Sequence, residues 1–261
     1  MKLFTGYVAT LDVLGFAELL YRDGYSRQLR LYMDTINEVI RPTHVKVECV
    51  VFSDSIVLTA SGDTERAFRG LIKACSVAFH ELVMCDMPVR GAVAFGRYWR
   101  EATSGSVFLA GRPIVEAYRF ERAQKWVGVV LCPSVLHKQD DLVMATHLPN
   151  EMDEDPSEYE LALRLQPATV PFQEEGTGPI GTLSAYAVVP LEADDDIRRA
   201  DRTVHRICGY LENLRLKAPS PTAQAKYTAS INWLQEIGQR LEASRSATKA
   251  SRSKTSRPTK G

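Results

Sequence analysis

The feature that most constrains this chain is the run Val8-Ala9-Thr10-Leu11-Asp12-Val13-Leu14-Gly15-Phe16. Tyr7 to Leu11 is apolar or β-branched, with no proline and no charge, and reads as a buried strand. Asp12 ends that run at the strand's carboxyl end, where open sheets bind ligands. Gly15 permits a tight turn, and the helix that follows directs its first N–H groups at whatever Asp12 holds. A carboxylate and an anion at one place imply a divalent cation between them. The plainer alternative is that Asp12 only caps the helix.

A second stretch favours the cation. Val50-Val51-Phe52-Ser53-Asp54-Ser55-Ile56-Val57-Leu58 holds two strand-like runs around a tight turn, a hairpin that brings Asp54 toward the first strand. Two ionised carboxylates about 4 Å apart repel by about 4 kcal/mol at an effective dielectric of ~20. A site that keeps both charged expects a cation. Asp is also an ordinary turn residue, so the pairing rather than either acid alone carries the reading.

The remaining chain limits the alternatives. With 261 residues and 45% hydrophobic content it can bury one sizeable core plus an extension. Its formal net charge is zero, which gives no argument for nucleic acid or a membrane surface. Five cysteines without framework spacing fit reduced thiols, hence a cytoplasmic location. No signal peptide and no membrane-spanning run is expected.

Taken in order, helices are expected over Ala17–Tyr21 and Ser26–Ile40, broken at Gly24 and ended by Pro42. The hairpin pairs Val45–Val51 with Ser55–Ala60, and Lys46, Glu48 and Val50 share one strand face with Phe52 and Asp54. A helix follows from Asp63-Thr64-Glu65 to about Met84. Strands come at Pro88–Tyr98, carrying Arg90, and at Ser106–Leu109. A helix then runs from Ala110-Gly111 to Ala123, and Trp126–Leu131 is a buried strand. The fold class is α+β, a ferredoxin-like βαββαβ sheet covered by helices. Residues 1–135 form the core and 136–192 the remainder, with an acidic loop at Met152–Glu160 and late strands at Leu161–Leu165 and Leu183–Val189. Helices at Ile197–Leu216 and Ala223–Leu241 make a C-terminal extension over 193–243. Residues 244–261, basic and without acids, are expected to be a disordered tail.

Over residues 5–135 the chain resembles the class III nucleotide cyclases. Asp12-Val13-Leu14-Gly15-Phe16 matches the family's acid and Gly-Phe turn. Asp54 lies 42 residues later, at the family's second metal-binding acid. Arg90-Gly91-Ala92-Val93-Ala94-Phe95-Gly96 matches its Arg-bearing strand, and Gly111 leads a helix that carries Arg119 at the family's spacing. The resemblance implies two divalent metals, Mg²⁺ or Mn²⁺, held by Asp12, Asp54 and the carbonyl of Val13. It implies phosphate contacts from the N–H groups of Leu14, Gly15 and Phe16 and from Arg90. Arg119 would act on the transition state in a homodimer whose two sites each draw on both subunits.

Departures sharpen this. Val115 stands where the family has a helix Asn. Val50 stands at the adenylate cyclases' Lys, and Phe108 at their base-reading Asp. That pocket cannot pair a purine's polar edge, and each unpaired buried group costs about 1–3 kcal/mol. With the C-terminal extension, this resembles the pyrimidine cyclases of bacterial anti-phage defence, whose product is read by a separate effector. The resemblance thus implies UTP as substrate. CTP, a purine nucleotide read by Lys46 or Glu48, a non-catalytic nucleotide-binding dimer, and an unrelated metal enzyme on the same sheet are the alternatives.

Overall fold

The computed structural model describes residues 2–39, 45–144, 156–173, 179–193 and 195–255. In chain order these form β1 (Lys2–Val13), α1 (Phe16–Leu20), α2 (Tyr25–Val39), β2 (Val47–Phe52), β3 (Ser55–Ser61), α3 (Glu65–Met84), β4 (Val89–Ala102), β5 (Val107–Gly111), α4 (Arg112–Ala123), β6 (Gly128–Leu131), α5 (Pro133–Lys138), α6 (Asp140–Met144), α7 (Pro156–Arg164), β7 (Leu165–Phe172), β8 (Gly181–Val188), α8 (Ile197–Lys217) and α9 (Pro221–Thr255). Eight strands make one sheet in the order β2-β3-β1-β4-β6-β8-β7, with β5 paired to β4. Among the described residues only β4 and β6 pair in parallel. This is the expected α+β sheet covered by helices.

β1 lies between β3 and β4, so its run from Tyr7 to Leu11 is buried. An apolar run without alternation suits a strand covered on both faces. Tyr7, Ala9 and Leu11 face a core shared with α3, whose Phe68, Leu71, Cys75, Phe79 and Leu82 recur at helical spacing. Thr64, not Asp63, caps α3: its hydroxyl accepts from the Ala67 N–H at 3.2 Å.

The second half corrects several expectations. Leu161–Arg164 is the end of helix α7, and the strand begins only at Leu165. The part of the expected acidic loop from Pro156 on is helical, while 152–155 lie outside the described residues. β7 carries Pro167 and Pro171, which cannot donate to a ladder, and it occupies the sheet edge where that is tolerated. Ser244–Thr255, expected as part of a disordered tail, continues α9 as helix. A helix already nucleated and packed extends through Ala, Ser, Lys and Arg at little cost per residue. Residues 256–261 lie outside the described residues.

The C-terminal helices share the main core. Ala200, Val204, Ile207 and Leu211 of α8 join Ile231, Leu234, Ile237 and Leu241 of α9 in the same apolar cluster as the sheet. Two polar anchors fix α9. The Ser230 hydroxyl accepts from the Val127 N–H at 2.8 Å, and the Trp233 indole donates to the Pro167 carbonyl at 2.9 Å. These anchors hold α9 beside β6 and β7, next to the strand ends that carry the site.

Candidate active site

Asp12 reaches its place by strand register. It stands opposite Ser55 of β3 on one side and Arg90 of β4 on the other. Gly91 makes that approach tight, since a Cβ there would meet the Thr10 carbonyl oxygen at 2.6 Å and Leu11 Cδ2 at 2.5 Å. The β2–β3 hairpin turns through Ser53, at φ 57°, and Asp54. Such a positive angle matches the twist of a two-residue hairpin. The Val13 N–H donates to the Asp54 carbonyl at 2.9 Å, so the hairpin tip is stitched to the end of β1. Asp12, Val13, Asp54 and Arg90 therefore converge.

Arg90 is held by two acids. Its Nη2 lies 3.2 Å from Asp12 Oδ2 and 2.6 Å from Glu121 Oε1, and its Nε donates to Glu121 at 2.7 Å. Glu121, on α4, is only 4% exposed. One guanidinium between two carboxylates leaves net negative charge in a half-buried place. Burial raises the Asp12 pKa first, and the Asp54 charge adds to it, while Arg90 opposes both. Burial pushes Glu121 up to about 7 despite its ion pair, helped by the charge on Asp12. The sequence reading missed Glu121 as part of the site. Its signal was spacing: Arg119 and Glu121 lie two apart on a helix, so they point to different sides.

That division runs along all of α4. Ala117 and Glu121 face inward. At the helix end, the Gln124 amide donates to the Gly91 carbonyl at 2.8 Å. Val115, Tyr118 and Arg119 face outward and are exposed. Neither Glu116 nor Glu121 holds Arg119, because Glu116 accepts from the Ser134 N–H at 3.2 Å and Glu121 holds Arg90. Among the described residues the Arg119 guanidinium makes no hydrogen bond and no ion pair. Within one chain, Arg119 stands on the exposed side of α4, while Glu121, two residues on, turns to Arg90.

The turn after β1 corrects one expectation. Gly15 adopts φ 78°, in the left-handed region that glycine enters without strain, and α1 starts at Phe16. The Leu14 N–H, expected to meet phosphate, donates to the Pro88 carbonyl at 2.8 Å, which leaves Gly15 and Phe16. An amide used to fasten β1 to the residue before β4 is not free for a ligand.

Val50 and Phe108 lie on β2 and β5, and Phe108 is 46% exposed. Glu48, two residues before Val50, is bridged by Lys46 at 3.0 Å and Arg100 at 2.6 Å. Sequence reading singled out Lys46 and Glu48 but not Arg100, which reaches Glu48 from β4.

The donor set suits a hard divalent cation. Asp12 and Asp54 supply carboxylate oxygens, and backbone carbonyls adjoin them. Thr10, on the Asp12 face of β1, keeps a buried hydroxyl oxygen without a partner among the described residues. Among those residues no three His, Cys, Asp or Glu side chains cluster to cage a metal. Two carboxylates completed by substrate oxygens are the arrangement Mg²⁺ and Mn²⁺ accept.

No family model matches the chain, and no curated protein matches it in sequence. Solved structures do match. The adenylyl cyclase CyaB from P. aeruginosa superposes with TM-score 0.50 at 11% identity, over 75% of this chain and 98% of that one. A dimeric guanylyl cyclase domain of the RhoGC fusion protein from the aquatic fungus Blastocladiella emersonii gives 0.47 at 13% identity, over 73% and 99%. Adenylate cyclases from Trypanosoma brucei, described in their monomeric state, give 0.44 at 9% identity, over 74% and 91%. The fold is that of the class III cyclases. No helix among the described residues is long and apolar enough to cross a membrane.

Proposed function

We propose that this protein is a nucleotide cyclase, converting a nucleoside triphosphate to its 3′,5′-cyclic monophosphate and diphosphate in a homodimer with shared active sites. One observation carries the reading. On a class III cyclase fold, Asp12 and Asp54 converge at the end of β1, while Arg119 stands exposed and unpaired on the outer side of α4. A chain that assembles the metal-binding half of a site and turns its cation outward is arranged to complete the site of a second copy.

Asp12, Asp54 and the Val13 carbonyl would hold two metal ions. Bound there, divalent metals lower the pKa of the 3′-hydroxyl and offset charge on the triphosphate oxygens. The 3′-oxygen bonds to the α-phosphorus as the bond to diphosphate breaks, and the hydroxyl proton leaves to solvent. The Gly15 and Phe16 N–H groups orient phosphate oxygens at the turn. Arg90 holds positive charge beside Asp12, facing the leaving phosphates. Arg119 of the partner subunit stabilises charge on the α-phosphoryl group in the transition state. Val107 and Phe108 on β5 and Val115 and Tyr118 on α4 are exposed apolar side chains that a second copy would cover.

The base is read as a pyrimidine, with UTP favoured over CTP, and the product signals to a separate effector in anti-phage defence. Support comes from the wall of the base site. Val50 and Phe108 offer a purine no hydrogen-bond pair, whereas an aromatic face packs a single ring. Glu48 shares a strand face with Val50, and together with Lys46 and Arg100 it carries both donors and an acceptor. The deciding assay incubates the protein with equal UTP, CTP, ATP and GTP under Mg²⁺ or Mn²⁺ and identifies the products. Cyclic UMP is expected. Dominant cyclic CMP changes only the choice between pyrimidines. Dominant cyclic AMP or GMP overturns the base-site argument, and no turnover with any nucleotide leaves a non-catalytic binding module.

A further inference from the structure

Arg90 cannot balance a triphosphate alone, because Asp12 and Glu121 already share its charge. The structure holds other cations nearby. A cavity of about 420 Å³ lies between the β1–α1 turn and the junction of α8 with α9. Val13 to Phe16 line one side, and residues between Leu214 and Tyr227 line the other. Its charged groups are Glu18, Arg22, Asp86, Lys217 and Lys226.

Lys226 is placed by the anchor of α9. Ser230, one helical turn later, receives the Val127 N–H and donates to the Lys226 carbonyl at 3.0 Å. Val127 precedes Gly128, which pairs with Arg90. The lysine therefore stands beside the strands that carry Arg90 and Asp12. Among the described residues neither the Lys226 nor the Lys217 ammonium forms a hydrogen bond or ion pair. Burial, then the charges of Arg90 and Lys125, lower the Lys226 pKa, and Asp12 raises it. Glu18 and Asp86 line the same cavity, while Arg90 and Lys125, outside its lining, are close enough to act electrostatically on Lys226.

We propose that this cavity receives the β- and γ-phosphates of the bound nucleotide and the diphosphate they become, with Lys226 as its main cationic contact and Lys217 at its mouth. The C-terminal helices thereby form a wall of the active site. The identity of the ligand rests on the cyclase reading; the site itself rests on the cavity and its unpaired lysines. An unpaired, half-buried ammonium favours a polyanion because a charge-assisted contact then replaces lost hydration.

The test is calorimetric titration of inorganic diphosphate, with Mg²⁺ present, into the full chain and its Lys226→Gln, Lys226→Arg and Lys217→Gln variants. Lys226→Gln should weaken binding about tenfold, the factor that loss of one charge-assisted hydrogen bond implies. Lys226→Arg should bind within about threefold of the wild type, and Lys217→Gln should lose about threefold. The cyclic nucleotide, which lacks these phosphates, should bind the wild type and Lys226→Gln equally. Equal diphosphate affinity in wild type and Lys226→Gln, or no binding to the wild type, overturns the proposal. Lys226-dependent diphosphate binding in a protein that turns over no nucleotide upholds the cavity and overturns the cyclase reading instead.

Discussion

The two sides of α4 follow opposite rules. Inward, Glu121 closes on Arg90, which closes on Asp12, and the Gln124 amide ties the helix end to the Gly91 carbonyl. Those polar groups are satisfied within one chain, as burial requires. Outward, Val115, Tyr118 and Arg119 face solvent, and Arg119 makes no bond among the described residues. An isolated enzyme site would gather its cation inward. On the proposed reading, the difference separates residues that build the subunit from residues that complete another one, and each half can be tested apart from the other.

The largest effect is expected at the carboxylates. Asp54→Asn, or Asp12→Asn, should lower turnover about 1000-fold, since weakened metal binding removes several kcal/mol of transition-state stabilisation. Thermal unfolding of Asp54→Asn should stay within a few degrees of wild type, because no buried ion pair of Asp54 is lost. Near-normal turnover at limiting metal would remove both acids from the site.

Arg119→Ala comes next, with about 100-fold lower turnover and unchanged stability of the subunit. The inward arginine should behave in the opposite sense. Arg90→Ala leaves the buried Glu121 and half-buried Asp12 carboxylates without the cation they share and should cost about 2–3 kcal/mol in denaturant unfolding. Equal stability losses at Arg90 and Arg119 would erase the distinction between the two sides.

The smallest effect is a pH dependence. Folding raises Glu121 from its ordinary 4.5 to about 7. The folded state therefore holds that proton more tightly than the unfolded chain. Its contribution is fully present below about pH 4.5 and is lost as pH rises toward 7. Glu121→Gln should flatten that part of the stability profile, read from unfolding midpoints across the range. An unchanged slope would mean that Arg90 keeps Glu121 ionised throughout.

What could be read from sequence follows from where the information lies. β1, the hairpin and α3 announce themselves through runs and periods, since each is buried by its own pattern. Asp12 and Asp54 were legible because each interrupts a strand at a turn. Glu121 and Lys226 were not. Their placements follow from contacts between distant segments: Arg90 with Glu121, 31 residues apart, and Val127 with Ser230, 103 residues apart. β7 was hidden for a local reason, because two prolines on an edge strand look like loop. The helix through Thr255 was hidden because composition speaks for disorder until a packed helix precedes it.

The central claim is that a working site needs two chains, and mixing two dead variants tests it most directly. Asp54→Asn and Arg119→Ala are co-refolded, and subunit exchange is verified with tagged chains. Half of randomly paired dimers are mixed, and each mixed dimer has one intact site of two, so activity should return to about a quarter of wild type. A mixture that exchanges subunits yet stays as inactive as its parents would place Asp54 and Arg119 in the site of a single chain and contradict the account.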